Sequence, residues 1–346
     1  MEIATDLQVR PRESKGRRAN AAAIYISMIL IAALGASLFK ARTQTIFSCQ
    51  GNLYTSDRYI AYCNGVGYGD YEHGAFALGL EPAALEHARQ ADVLFLGNSH
   101  LQVAFSTPAT AEWFSARSSR YYLMGFTYYE NMVFESALLR KIRPTAAVYV
   151  INVDNFFRQW ESPPARETLT DPGARSRFEE KRFWQWLHQS ICGPAPGLCG
   201  HQLAYYRSRE TGAYTRSGGG QNQTAVSYDT TVDQAQVASD SANAVAFLSQ
   251  LPVKRDCVIL TMTPTVGTDI ANVKATAKSL GMDLIAPELS GLKTFDGSHL
   301  EAGSAERWSQ AFFQAAGPRI SSCLKARQTV SQVNPLTPST RDGATE

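Results

Sequence analysis

One serine, one aspartate and one histidine give this sequence its clearest chemistry. Ser99 follows Gly97 and Asn98 at the end of the apolar run Val93-Leu94-Phe95-Leu96. Far along the chain stands Asp296-Gly297-Ser298-His299-Leu300. An aspartate and a histidine three apart can share one turn, so the carboxylate can hold one imidazole nitrogen. The other nitrogen is then free to take the proton of a serine hydroxyl, which activates an otherwise weak nucleophile. The order Ser99, Asp296, His299 supplies nucleophile, orienter and base. By itself, Gly-x-Ser after a strand is also what a turn or a helix N-cap requires. The distant Asp296-x-x-His299 is what gives Ser99 a chemical partner.

The elements needed to bring these residues together follow from hydrophobic patterning. Residues 93–96 show no polar alternation, as expected of a strand covered on both faces in a parallel sheet. Residues 120–124 read as a second strand ending at Gly125, and 146–151 as a third running into Asn152-Val153-Asp154-Asn155. Residues 257–262 and 283–286 give a fourth and a short fifth. Helices are expected over 81–89, 128–141, 178–188, 232–251, 270–280 (with Gly281 just past its end) and 301–316. This alternation predicts an α/β fold with a doubly wound, mostly parallel sheet. Parallel strands end on one edge, so Ser99 and the 296–299 loop can converge there.

Gly97-Asn98-Ser99 and Asp296-x-x-His299 resemble the first and last blocks of the SGNH (GDSL-like) hydrolase superfamily, over residues 91–316. The family has aspartate before the serine; this chain has Asn98. That departure is similar to the membrane-anchored branch that handles acyl groups on bacterial surface polymers. The resemblance implies an oxyanion hole made of the Ser99 N–H, the Gly125 N–H and an asparagine side chain past the third strand. The third block is irregular. If Asn152 takes the family's glycine place, Asp154 falls where the asparagine belongs. An anionic Asp154 would repel an oxyanion, so Asn155 is expected in the role. The implied activity is that of a serine esterase or O-acyltransferase on acyl esters of an extracytoplasmic glycan or polymer, with no metal or organic cofactor. Asn98 and the irregular third block leave a second reading open: a catalytically weak, membrane-anchored accessory or binding protein.

The 346 residues are 44% hydrophobic and 18% charged, with a formal net charge of +2, the composition of a globular protein. No basic stripe with interleaved aromatics stands out, which argues against nucleic acid as partner. Residues 1–20 form a basic leader and 21–39 an uncharged run, about 28 Å long as a helix. That length suits a transmembrane anchor, with the basic side cytoplasmic and residues 41–325 outside as the globular domain. A cleaved signal peptide is the rival, with Gly35-Ala36-Ser37 offering small residues. Six cysteines in an exported chain suit disulfides. Cys192 with Cys199 is the best local pair; Cys49 with Cys63 and Cys257 with Cys323 would complete the set, although sequence does not fix connectivity. The cluster Asp70-Tyr71-Glu72-His73 either reaches the mouth of the site or packs away from it. Residues 158–230 break the α/β rhythm and read as an insertion capping the sheet edge. Within them, Trp184 and Trp186 either stack on sugar rings or serve packing. The polar tail, 326–346, is expected to be disordered.

Overall fold

Ser99 is held by a four-stranded sheet in the computed structural model, which describes residues 14–64, 68, 70–218 and 222–333. In chain order the strands are β1 (Arg58–Cys63), β2 (Val93–Asn98), β3 (Tyr121–Phe126), β4 (Val148–Asn152), β5 (Ala204–Ser208), β6 (Tyr214–Ser217), β7 (Thr224–Ala225), β8 (Val258–Thr261) and β9 (Lys293–Thr294). The helices are α1 (Ser14–Gln44), α2 (Tyr71–Ala77), α3 (Pro82–Gln90), α4 (Ser99–Phe105), α5 (Pro108–Ser115), α6 (Met132–Ile142), α7 (Pro163–Thr170), α8 (Ala174–Cys192), α9 (Gln234–Leu248), α10 (Ile270–Ser279) and α11 (Ala302–Val333).

The main sheet has the order β3-β2-β4-β8, and its three pairings are parallel. The chain enters at β2, steps to β3 on one side, then crosses to β4 on the other. That reversal is a topological switch point, where open α/β sheets hold ligands beyond their strand ends. Strand β2 runs straight into Ser99 there. The expected fifth strand is reduced to a single bridge between Leu284 and Leu260. Its four residues lie between the turn at Gly281 and Pro287, too few to extend a ladder. They still satisfy β8: the Ile285 N–H donates to Leu260 O at 2.9 Å, and Thr261 Oγ1 donates to Ile285 O at 2.7 Å.

Alternation across the pleat divides the core in two. Leu94, Leu96, Tyr122, Met124, Tyr149 and Ile151 face a layer that includes Phe76, Phe126, Phe134 and Phe247. Val93, Phe95, Leu123, Val148 and Val150 face Phe105, Phe114, Trp308 and Phe312. The unbroken apolar runs of the strands reflect this double burial, each fully buried side chain contributing about 2 kcal/mol.

Two regions depart from expectation. A second, antiparallel sheet of order β1-β5-β6 joins the segment before the central strand to the inserted segment. Helix α11 continues past residue 316 to Val333 with Pro318 inside it, so the expected disordered tail is helical over 326–333; residues 334–346 lie outside the described residues, as do 1–13 of the leader. The Cys257–Cys323 disulfide ties α11 to the start of β8. Cys49–Cys63 and Cys192–Cys199 are also joined, completing the three pairs. By loop length, Cys257–Cys323 constrains the unfolded chain most, by about 4 kcal/mol against about 2.5 for Cys192–Cys199. Within α1, Ala22–Lys40 is long and apolar enough to cross a membrane, and none of it is buried against the rest of the chain.

Candidate active site

Two glycines let α4 lie close against the strands at the switch point. Gly97 of β2 pairs with Gly125 of β3. A Cβ on Gly125 would stand 2.6 Å from Asn98 O and 2.7 Å from Gln102 Cβ, so no larger residue fits. Asn98 caps α4, its Oδ1 accepting from the His100 N–H at 3.0 Å. The amide of Asn152, at the end of β4, reaches Asn98 Oδ1 at 3.4 Å and accepts from the Thr263 N–H at 2.9 Å. The strand ends are therefore pinned to one another, and Ser99 projects from a fixed frame.

Across the sheet edge, the 296–299 loop meets this frame. His299 Nε2 lies 2.9 Å from Ser99 Oγ, and His299 Nδ1 lies 2.8 Å from Asp296 Oδ2. Asp296 Oδ1 also accepts from the backbone N–H groups of Ser298 at 2.9 Å and His299 at 2.7 Å. Partial burial works to raise the Asp296 pKa, but these hydrogen bonds outweigh it and hold the carboxyl at about 2. Burial lowers the His299 pKa; the Asp296 hydrogen bond opposes this, and the nearby His100 reinforces it, leaving the net value below the ordinary one. An imidazole that is neutral at physiological pH is in the state that accepts a proton from serine.

A second chain of the same kind runs beside the first. His100 Nε2 contacts Ser298 Oγ at 2.5 Å, and His100 Nδ1 bonds Asp154 Oδ2. The Asn98 amide donates to Asp154 Oδ2 at 3.0 Å, and the Asn155 amide donates to Asp154 Oδ1 at 3.1 Å. Burial would raise the Asp154 pKa, yet the bonds from His100 and Asn98 bring it below the ordinary value. The imidazoles of His100 and His299 approach edge to face, with centroids 5.2 Å apart. Exposure separates the two chains: His299 and Asp296 are 17% and 38% exposed, His100 and Asp154 only 6% and 13%.

Ser99, Ser298, His299 and Asp296 line one pocket, walled by Tyr62, Tyr128, Tyr129, Tyr205 and Tyr214. Tyr62, Tyr205 and Tyr214 come from the antiparallel sheet. Tyr128 and Tyr129 have φ of 61° and 55°, a left-handed backbone that costs bulky residues about 1 kcal/mol or more each. The turn before them is anchored by the fully buried Glu72. Its carboxylate accepts from the Thr127 N–H at 2.8 Å and Thr127 Oγ1 at 3.0 Å, and from Arg207 Nη1 at 2.9 Å and the Tyr214 hydroxyl. Of the cluster Asp70-Tyr71-Glu72-His73, Glu72 thus works beneath the pocket wall rather than at its mouth.

The three oxyanion donors expected from the resemblance do not gather. The Gly125 N–H lies inside β3 and donates to Gln102 Oε1 at 3.0 Å. Asn155 holds Asp154 and lines a separate cleft with Arg158 and Asp269. Ser99 alone of the three sits in the pocket. Trp184 and Trp186 are exposed on α8 and do not line it. His188, Cys192 and Cys199 stand close enough for metal ligands, but the cysteines are joined in a disulfide and offer no thiolate. The residues missed by sequence reasoning are His100, Ser298 and the five tyrosines, together with Asp154 as a histidine partner. One signal was available: Ser-His occurs at 99–100 and again at 298–299, and each serine bonds the histidine of the other pair. Compared with known proteins, the chain matches no family model, no curated protein and no solved structure.

Proposed function

We propose that the chain is an SGNH-type serine esterase or O-acyltransferase, acting on acyl esters of an extracytoplasmic glycan or polymer. The observation that carries the reading is the continuous path from Ser99 Oγ through His299 to Asp296, 2.9 Å and 2.8 Å long at its two links, opening on a pocket at the switch point. In this reading Ser99 Oγ attacks the ester carbonyl carbon and its proton passes to His299 Nε2. His299 then gives that proton to the departing alkoxide oxygen, leaving the acyl group on Ser99. Water or an acceptor hydroxyl, deprotonated by His299, attacks the acyl-serine and restores the enzyme. Asp296 holds the imidazole and stabilises its charged form. The Ser99 N–H serves the oxyanion. The tyrosine-lined walls suit a sugar ring, whose C–H face packs on aromatic surfaces while its hydroxyls reach phenolic oxygens.

The α1 span and three disulfides support a single-pass anchor in the cytoplasmic membrane with the globular domain outside it. Reporter fusions after Lys40 test this orientation: activity confined to a reporter that works only after export supports it, and cytoplasmic activity overturns it. Full-length protein in detergent, assayed on aryl acetates, tests the chemistry. Hydrolysis by wild type and its loss in Ser99→Ala are the expected results. Full activity in Ser99→Ala would sink the assignment.

A second reading has its own support. The Gly125 N–H is engaged and Asn155 lies elsewhere, so two expected oxyanion donors are missing. An accessory protein that binds acylated polymer without turning it over would have this site. Wild type that binds acylated glycan yet hydrolyses no ester would favour it.

A further inference from the structure

We propose that Ser298 is a second nucleophilic hydroxyl of this pocket, activated by His100 and Asp154, so that the protein carries two serine relays and can take an acyl group at either. The proposal goes beyond the role of Ser99 and does not depend on it. Its ground is connectivity: Ser298 Oγ to His100 Nε2 at 2.5 Å, His100 Nδ1 to Asp154 Oδ2, and Ser298 in the same pocket wall as Ser99. With Nδ1 held by a carboxylate, the Nε2 lone pair faces the hydroxyl, the arrangement that makes serine a nucleophile.

A packing role alone accounts poorly for these residues. Burying a carboxylate beside an imidazole carries a desolvation penalty, and apolar groups of like volume would fill the space without it. Here the carboxylate is kept anionic by directed donors: His100, the Asn98 amide at 3.0 Å and the Asn155 amide at 3.1 Å. Asn98 is drawn into this second relay, its Oδ1 capping α4 while its amide holds Asp154. Asn155 likewise acquires a task, that of an orienter of Asp154. The crossed pattern, in which Ser99-His100 and Ser298-His299 exchange partners, gives each histidine one serine and one aspartate.

The step is the ordinary acyl transfer. Ser298 Oγ attacks the ester carbonyl carbon, its proton moves to His100 Nε2, and the carbon–oxygen bond to the alkoxide breaks as that oxygen takes the proton. The product is acyl-Ser298, discharged in turn by water or an acceptor hydroxyl that gives its proton to His100. Two imidazolium rings 5.2 Å apart would repel, which disfavours both relays taking up a proton together.

An alkyl fluorophosphonate tests this on full-length protein in detergent, with the modified serine located by peptide mass spectrometry. The hydroxyl displaces fluoride from phosphorus, and the adduct stays on the serine that attacked. Wild type is expected to show adducts on both the Ser99 and the Ser298 peptides. Ser99→Ala should keep the Ser298 adduct, and adding His100→Gln should slow its formation at least tenfold. Ser99→Ala/Ser298→Ala should carry neither. Wild type labelled at Ser99 alone, with Ser99→Ala unlabelled, overturns this proposal and leaves the Ser99 reading standing. Wild type labelled at Ser298 alone supports this proposal and overturns that reading. No adduct at either serine overturns both, and a Ser298 adduct indifferent to His100→Gln overturns the activation claimed here. Wild type requires no substitution, so poor folding of a variant cannot mask the answer.

Discussion

Two Ser-His-Asp relays share one pocket and differ in how they are held. In the outer relay, Asp296 is gripped by its own loop: the Ser298 and His299 N–H groups and the His299 ring all lie within three residues of it. In the inner relay, Asp154 comes from beyond β4, His100 from α4 and Ser298 from the last loop, contacts spanning 54 and 198 residues of sequence. The outer carboxylate is partly solvated and the inner one nearly enclosed. The same arrangement of groups is thus built once by local geometry and once by the fold. The first should survive disturbance of its surroundings, and the second should fail with the packing.

The largest effect that sharpens this contrast is on activity. If Ser99 carries the main flux, Ser99→Ala and His299→Ala should each lower kcat/KM for aryl acetate by about 10³-fold or more, and together by little more than either, because the two act as one unit. Asp296→Asn should cost less than either, since it removes only orientation and charge stabilisation. Steady-state kinetics on purified variants reads all three. Equal losses in Ser99→Ala and Ser298→Ala would mean that the relays are not outer and inner but equivalent.

The next effect is on stability, and here the order reverses. Asp154→Asn takes the carboxylate acceptor away from the buried His100 ring and should cost about 2 kcal/mol, the worth of a hydrogen bond to a charged group, whereas Asp296→Asn at the rim should cost less than about 1 kcal/mol. The pH dependence has a definite sign. The Asp154 carboxyl has a folded-state pKa below its ordinary 3.8, so its stabilisation is complete above that value and is lost as pH falls through the folded one. Asp154→Asn should therefore flatten the acid limb of stability. Chemical denaturation at about pH 7 and at about pH 2, well below the ordinary carboxyl value, measures both. A gap between the two variants that stays the same at both pH values would break the assignment of Asp154 as the buried anion.

The same contrast explains what could be read in the sequence. Asp296-x-x-His299 is a three-residue spacing with one geometric meaning, and the apolar runs of β2, β3, β4 and β8 announced a parallel sheet with Ser99 at a strand end. The parallel four-stranded sheet and the N-terminal apolar helix were legible for that reason. Asp154 was seen, but only as a charge that would repel an oxyanion, because nothing local shows that His100 reaches it. Gly125 was expected to end a strand. It lies within one, because Gln102 on α4 satisfies its N–H and lets β3 continue to Phe126. The antiparallel sheet escaped notice because Arg58–Cys63 and Ala204–Ser208 pair across β2, β3, β4 and the first part of the inserted segment. The pocket's aromatic wall went with it, since three of its five tyrosines stand on those strands.

The smallest effect is the most specific, because it reads the contact between the two relays. His299 has an imidazole pKa below the ordinary 6.5, through burial first, against the hydrogen bond from Asp296, and with added repulsion from His100 and Arg216. The base must be neutral to act, so wild-type kcat/KM should rise with pH through a midpoint below about 6.5. In His100→Gln the positive charge that His100 contributes when protonated is gone, while burial, Asp296 and Arg216 remain. The His299 pKa should then climb, moving the rising limb to higher pH. A merely structural role for His100 would lower the plateau or the melting temperature and leave the midpoint where it was. A midpoint that moves up while Ser99-dependent turnover persists would mean that the inner histidine is felt by the outer one as a charge. An unmoved midpoint would mean that the two relays share a pocket without sharing a proton balance.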